Sequence, residues 1–190
     1  MSDARTAVAG ALSPGAYRMP DAPTLRELEV PAHPRESTPR VILLDASSLS
    51  ATSKRGHETA LRAHARSLSA AAGAPHCSRS YRAPLALVAL HDAPVGVDIE
   101  RVSYCDDAFA ESIMTPAERS MALPRARDRF LSSLWSSKEA LSKALGDPLA
   151  HDPRRLEGPG AWPYGRSGPW RATPLELEGG YLAWICWRAR

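Results

Sequence analysis

The unbroken apolar run Leu85-Ala86-Leu87-Val88-Ala89-Leu90 is short, and its brevity limits what it can build. It has the length of one strand and falls far short of the roughly 20 residues of a membrane-spanning helix. It reads as a strand, with His91-Asp92-Ala93-Pro94 as a turn and Val95 to Glu100 as its antiparallel partner. In that second strand Val95, Val97 and Ile99 share one face, while Gly96, Asp98 and Glu100 share the other. Small strands of this kind must be covered by helices or by a second sheet.

The remaining elements follow from local signals. Val41 to Asp45 is strand-like, and a helix is expected from near Gly56 to Ala72, ended by Gly73 and Pro75. Thr115-Pro116-Ala117-Glu118 opens a helical segment as a capping box with proline in its first turn. A second helical segment is expected from about Ala126 into Trp135. A third runs from Ser137 to Leu145 and stops at Gly146, with Pro148 beyond. Residues 151–180 are rich in glycine and proline and read as loops and short strands. Tyr181 to Trp187 is apolar on both faces, as in a well-covered final strand. Residues 1–40 carry many prolines and no sustained period, and read as a partly disordered arm with a short strand or helix at Leu25–Val30.

Composition narrows the class. A chain of 190 residues with 44% hydrophobic and 24% charged residues folds around a core as one domain or two small lobes. The opening Met1-Ser2-Asp3-Ala4-Arg5 lacks the basic start and apolar stretch of a secretory signal. Three widely spaced cysteines suggest neither a disulfide framework nor a zinc knuckle. A cytoplasmic, reduced location is therefore expected. A net charge of +3 is too small to indicate nucleic-acid binding, and no membrane association is expected. Within the 24 basic residues, only Lys54, Lys138 and Lys143 are lysines. Two of them lie in the single stretch Trp135-Ser136-Ser137-Lys138-Glu139-Ala140-Leu141-Ser142-Lys143. A compact ammonium suits a phosphate-handling position where arginine is not equivalent.

Asp98 and Glu100 project from the same side of their strand, an unfavourable like-charge pair unless a cation lies between them. An oxygen-only pair suits Mg²⁺, which completes its shell with water and phosphate oxygens; a solvated strand end is the alternative. Glu139 and Lys143, four apart on a helix, read either as an i,i+4 ion pair below a Ser136 cap or as a third carboxylate and a phosphate-binding lysine.

Taken together, Gly96-Val97-Asp98-Ile99-Glu100 and Trp135 to Lys143 resemble the two-part signature of the 4'-phosphopantetheinyl transferase superfamily. Asp92, Pro94, Thr115–Glu118 and the Gly179-Gly180-Tyr181 start of the last strand are similar to its surfactin-type branch. The resemblance implies an α+β fold of two lobes related by a pseudo-twofold axis, each a small antiparallel sheet with helices. The division would be an arm over 1–40, an abbreviated N-terminal lobe over 41–97 and a C-terminal lobe over 98–190. The implied activity is Mg²⁺-dependent transfer of the phosphopantetheine arm of coenzyme A to a serine of an acyl or peptidyl carrier protein by a monomer, releasing 3',5'-ADP. Asp98, Glu100 and Glu139 would hold Mg²⁺, and Glu139 or a water it orients would be the base. Lys138 and Lys143 would neutralise the phosphates. Glu118 would either support the site near Lys143 or act in catalysis itself.

The chain departs from the pattern in its first half. The family's Ser-His pair corresponds to Ser80-Tyr81, so Ser80, Tyr81, Arg79 and Arg82 become the expected coenzyme A contacts there. The Gly-Lys-Pro element is reduced to Gly73-Ala74-Pro75; Arg66 matches a recurrent arginine, and Lys54 and Arg55 are alternative phosphate ligands. Arg119, Arg125, Arg127 and Arg129 are candidates for steering an acidic carrier. The rival readings are a non-catalytic relative that binds coenzyme A or a carrier domain, and another Mg²⁺-dependent phosphoryl-transfer enzyme. The second is disfavoured because no Gly-x-x-x-x-Gly-Lys-Ser/Thr loop occurs.

Overall fold

The computed structural model describes residues 22–31, 36–49, 53–120 and 125–189. Much of the expected arm, 1–21 and 32–35, lies outside them. Eight strands form two four-stranded antiparallel sheets. The first contains β1 (Thr24–Leu28), β2 (Arg40–Asp45), β3 (His76–Arg82) and β4 (Leu85–His91) in the order β1-β2-β4-β3. The second contains β5 (Val95–Arg101), β6 (Arg166–Ser167), β7 (Trp170–Leu175) and β8 (Tyr181–Arg188) in the order β5-β8-β7-β6. The fold is therefore α+β. Both sheets repeat one unit: a strand, a long helix, then two strands of which the last inserts beside the first. In the first sheet the unit is β2, α1 (Lys54–Ala72), β3 and β4; in the second it is β5, α4 (Arg127–Ala144), β7 and β8.

Strand periodicity separates the layers. Val41, Leu43, Leu85, Leu87 and Ala89 face Val95, Val97, Ile99, Ala183, Ile185 and Trp187, so the two sheets share one buried core. Leu44, Ala86, Val88 and Leu90 face the opposite way, onto Leu61 and Ala65 of α1. On the second sheet Ala172, Trp184 and Cys186 pack against Ala140, Leu141 and Ala144 of α4. α1 starts with Ser53 accepting from Gly56 N and ends on Gly73 at φ 59°, a left-handed cap that favours glycine. Among the described residues no helix is long and apolar enough to cross a membrane.

Three expectations change. Val95–Glu100 does not pair with Leu85–Leu90. β4 is an interior strand whose two edges are taken by β2 and β3, so β5 crosses to the other sheet and pairs with β8. The expected break near Ser136 is absent, and α4 is one continuous helix. Ser136 is fully buried within it rather than capping it, because small side chains let α4 lie close to the sheet. A short helix, α2 (Asp107–Ile113), also occurs where only a linker was expected, capped by Asp106 accepting from Phe109 N. The capping box that starts α3 (Pro116–Arg119) forms as expected.

Candidate active site

The site is built where the two sheets and α4 meet. β3 runs beside β5, and the exposed backbone edge of β5 is satisfied by side chains. Val97 N donates to Ser78 Oγ at 3.1 Å and Ile99 N to Ser80 Oγ at 3.3 Å. Gly96, Asp98 and Glu100 turn toward α4. A Cβ on Gly96 would stand 1.9 Å from the Ala140 carbonyl oxygen and 2.5 Å from Ala144 N. Glycine there lets the helix backbone rest on the strand, which brings Glu139 and Lys143 over the Asp98 side chain.

Asp98 is buried, and its Oδ1 accepts from Lys143 Nζ at 2.7 Å and from Ser80 Oγ at 2.8 Å. Its Oδ2 is buried without a protein partner. Glu100, half-buried, meets the Arg82 guanidinium at 3.3 Å. Burial, then the negative Asp98, push the Glu100 carboxyl above its ordinary range against the pull of Arg82, Trp135 and Lys143. Glu139 is pushed up as well, chiefly by burial, with Asp98 adding to the shift and Lys143 opposing it.

An orphaned carboxylate oxygen beside two carboxyls that resist ionisation, with an all-oxygen donor set, fits a hard divalent cation such as Mg²⁺. Among the described residues no group of three histidine, cysteine, aspartate or glutamate side chains is arranged to hold a metal as it stands. Asp98 is thus near enough to influence both glutamates, but the three acids are not gathered into a ready-made cage.

Lys143 also forms part of the wall of a cleft of about 440 Å³, with Arg62, Arg66, Ser78, Arg79 and Tyr81. The Arg62 guanidinium lies 4.5 Å from the centre of the Tyr81 ring, a cation–π contact. Among the described residues Arg62, Arg66 and Arg79 have no carboxylate partner. A smaller cleft, about 150 Å³, opens at Glu100 beside Arg82, Ser103, Phe109 and Trp135.

The structure therefore brings Asp98, Glu100, Glu139 and Lys143 together, with Arg79 and Tyr81 on the adjoining wall. Ser80 and Arg82 instead meet the carboxylates of Asp98 and Glu100. Lys138 is set apart. It is 1% exposed and donates to Ile113 O at 2.6 Å, Glu118 Oε2 at 2.6 Å and Pro153 O at 2.9 Å. All three of its N–H bonds are thus engaged, which corrects the expected phosphate contact, and Glu118 supports Lys138 rather than Lys143. Arg119 and Arg127, candidates for steering, hold local structure: Arg119 donates to Met114 O and Glu111 O, and Arg127 to Cys105 O and Asp107. Arg62 was missed from the sequence. The one signal for it was its i,i+4 spacing from Arg66 on α1.

Comparison with known proteins converges on the same segment. Residues 94–159, spanning β5 to the loop after α4, match the model of the 4'-phosphopantetheinyl transferase superfamily, so both motifs lie in a stretch with that superfamily's pattern. Two curated relatives are similar to parts of the chain. The 4'-phosphopantetheinyl transferase psf-1 of Bacillus pumilus is 33% identical over 79 residues, covering 40% of this chain and 34% of the relative. The holo-acyl-carrier-protein synthase of Aliivibrio fischeri (strain MJ11) is 42% identical over 59 residues, covering 28% of this chain and 47% of the relative. The chain thus spans less than half the length of either one.

Proposed function

We propose that this protein is a 4'-phosphopantetheinyl transferase of the surfactin-type branch. It moves the phosphopantetheine arm of coenzyme A onto a serine hydroxyl of an acyl or peptidyl carrier protein, acting as a cytoplasmic monomer. The observation that carries the reading is the buried Asp98 with one oxygen held by Lys143 and Ser80 and the other unpartnered, flanked by two carboxyls whose affinity for protons burial raises. The match over 94–159 and the names of both relatives support it.

In this reading Asp98, Glu100 and Glu139 hold Mg²⁺, which when bound supplies positive charge to the pyrophosphate oxygens. The carrier serine oxygen attacks the phosphorus that bears the pantetheine. A new O–P bond forms as the pyrophosphate bridge P–O bond breaks, and 3',5'-ADP departs. The hydroxyl proton passes to the Glu139 carboxylate or to a water it orients. Lys143, at the junction of the acidic cluster and the arginine-lined cleft, neutralises charge on the phosphates. Positioning and charge stabilisation of this kind are the main contributions a protein makes to phosphoryl transfer. Arg62, Arg66 and Arg79 take the nucleotide phosphates, in place of the Ser-His and Gly-Lys-Pro elements missing from this chain.

The test is intact-mass analysis of apo carrier proteins incubated with the protein, coenzyme A and Mg²⁺. A mass gain of one phosphopantetheine, absent with Asp98→Ala and Glu139→Gln, is the expected result. Folded wild-type protein that binds coenzyme A yet modifies no carrier of either type would leave only the non-catalytic reading.

A further inference from the structure

We propose that Lys138 is a positioning residue that never touches the phosphates: with Glu118 it forms a buried pin that sets the rotation of α4 so that Glu139 and Lys143 face Asp98. The inference rests on the function proposed above and assigns a different role to a lysine of its motif.

The pin joins four separate pieces of chain. Lys138 Nζ takes the last carbonyl of α2 at Ile113, the Glu118 carboxylate of α3, and the Pro153 carbonyl in the loop after α4. Glu118 is buried too. Its Oε2 also accepts from Thr115 N at 2.7 Å, and its Oε1 from Gly158 N at 2.8 Å. Every polar atom of the pair thus has partners, the condition under which a buried ion pair is tolerated. Gly158 is needed for the close approach, since a Cβ there would lie 2.4 Å from Leu134 Cδ1 and 3.1 Å from Glu118 Oε1.

The consequence for the site is geometric. Glu139 is the next residue, about 100° further round the helix, and Lys143 is one turn beyond that. On its sheet side α4 lies directly against Gly96 at Ala140 and Ala144. Contact with Gly96 fixes how close the helix lies to the strand. The Lys138–Glu118 pin, which ties α4 to α2, α3 and the 153–158 loop, fixes how it is turned. Burial pushes the Glu118 carboxyl up, but Lys138 and the Thr115 and Gly158 N–H groups outweigh it and hold it below its ordinary value. The carboxylate is thus kept charged opposite the ammonium.

A single replacement of Lys138 leaves a buried unpaired carboxylate and is apt to unfold the chain, so the test uses the neutral double variant Glu118→Gln/Lys138→Met. Turnover, KM for coenzyme A and 3',5'-ADP affinity by calorimetry are measured well below the unfolding temperature, with hydrogen exchange of residues 135–144 followed in the same samples. The expected result is kcat at least tenfold lower, KM and 3',5'-ADP affinity within twofold of wild type, and faster exchange in α4 but not in β8. A rise of tenfold or more in KM with loss of 3',5'-ADP binding would show that Lys138 contacts phosphate. Unchanged kcat with unchanged α4 exchange would reduce the pair to a stability element; either result overturns the proposal. If wild-type protein shows no transfer, the proposed function fails by itself. The exchange measurement still decides whether the pin sets α4.

Discussion

Lys143 Nζ lies 2.7 Å from Asp98 Oδ1, a contact 45 residues apart in sequence that ties the end of α4 to the middle of β5. The lysine is partly exposed at the mouth of the arginine-lined cleft, whereas the aspartate is buried. The pair therefore has an inner, acidic end and an outer, basic one.

Replacing that lysine tests the pair. Lys143→Ala is expected to lower kcat/KM for carrier modification at least about tenfold, about 1.4 kcal/mol of barrier, in steady-state assays with coenzyme A and an apo carrier. Turnover near the wild-type level would reduce Lys143 to a structural ion pair.

Gly96→Ala is expected to be more damaging than Gly158→Ala. At Gly96 the added carbon meets backbone atoms of α4 at 1.9 and 2.5 Å, whereas at Gly158 the closest atom is the free end of the Leu134 side chain. Backbone cannot step aside, so destabilisation near the upper end of the ~1–3 kcal/mol range for overpacking is expected at Gly96 and near the lower end at Gly158. Urea unfolding of the two variants gives the order; the reverse order would contradict the contact.

Stability should carry the sign of the two perturbed carboxyls. Glu100 and Glu139 bind protons more tightly folded than unfolded. Their protonated forms therefore favour the fold at low pH, and this contribution is lost as pH rises from the ordinary value of 4.5 through the raised ones. Glu139→Gln is expected to raise the unfolding temperature relative to wild type at pH 7–8 and to lose that advantage below about pH 4. Mg²⁺ is expected to raise the wild-type unfolding temperature at neutral pH and to do so less in the variant. An equal Mg²⁺ effect in both proteins would remove Glu139 from the cation site.

The cleft beside Lys143 predicts a separation of binding from chemistry. Arg62→Ala and Arg79→Ala are each expected to raise KM for coenzyme A several-fold with kcat nearly unchanged, and the effect should shrink as salt is added. Equal losses in kcat alone would move these arginines from ground-state binding to the transition state.

Much of this site was legible before folding because its motifs are local. Gly96-x-Asp98-x-Glu100 places two carboxylates on one face by the strand period, and Glu139 and Lys143 share a helix face by the helical one. The caps at Gly73 and Thr115 were equally readable. The partner of β5 was not. An uninterrupted apolar run such as Leu85–Leu90 signals an interior strand with neighbours on both sides, yet chain proximity favoured a hairpin. Ser136 likewise resembles a cap in sequence and is instead a small residue buried in a continuous helix.

Residue spacing alone thus placed most of the strands and helices and the two acidic motifs, since each depends on neighbours a turn or two away; the chemistry expected of those motifs came from the family they resemble. Only the packed molecule decided that Ser80 bridges to Asp98, that Arg62 stacks on Tyr81 and that Lys138 points inward to Glu118 while Lys143 points to the site. Those pairings join residues 18 to 45 positions apart. They depend on which faces of the two sheets and α4 meet, and local periodicity carries no information about that.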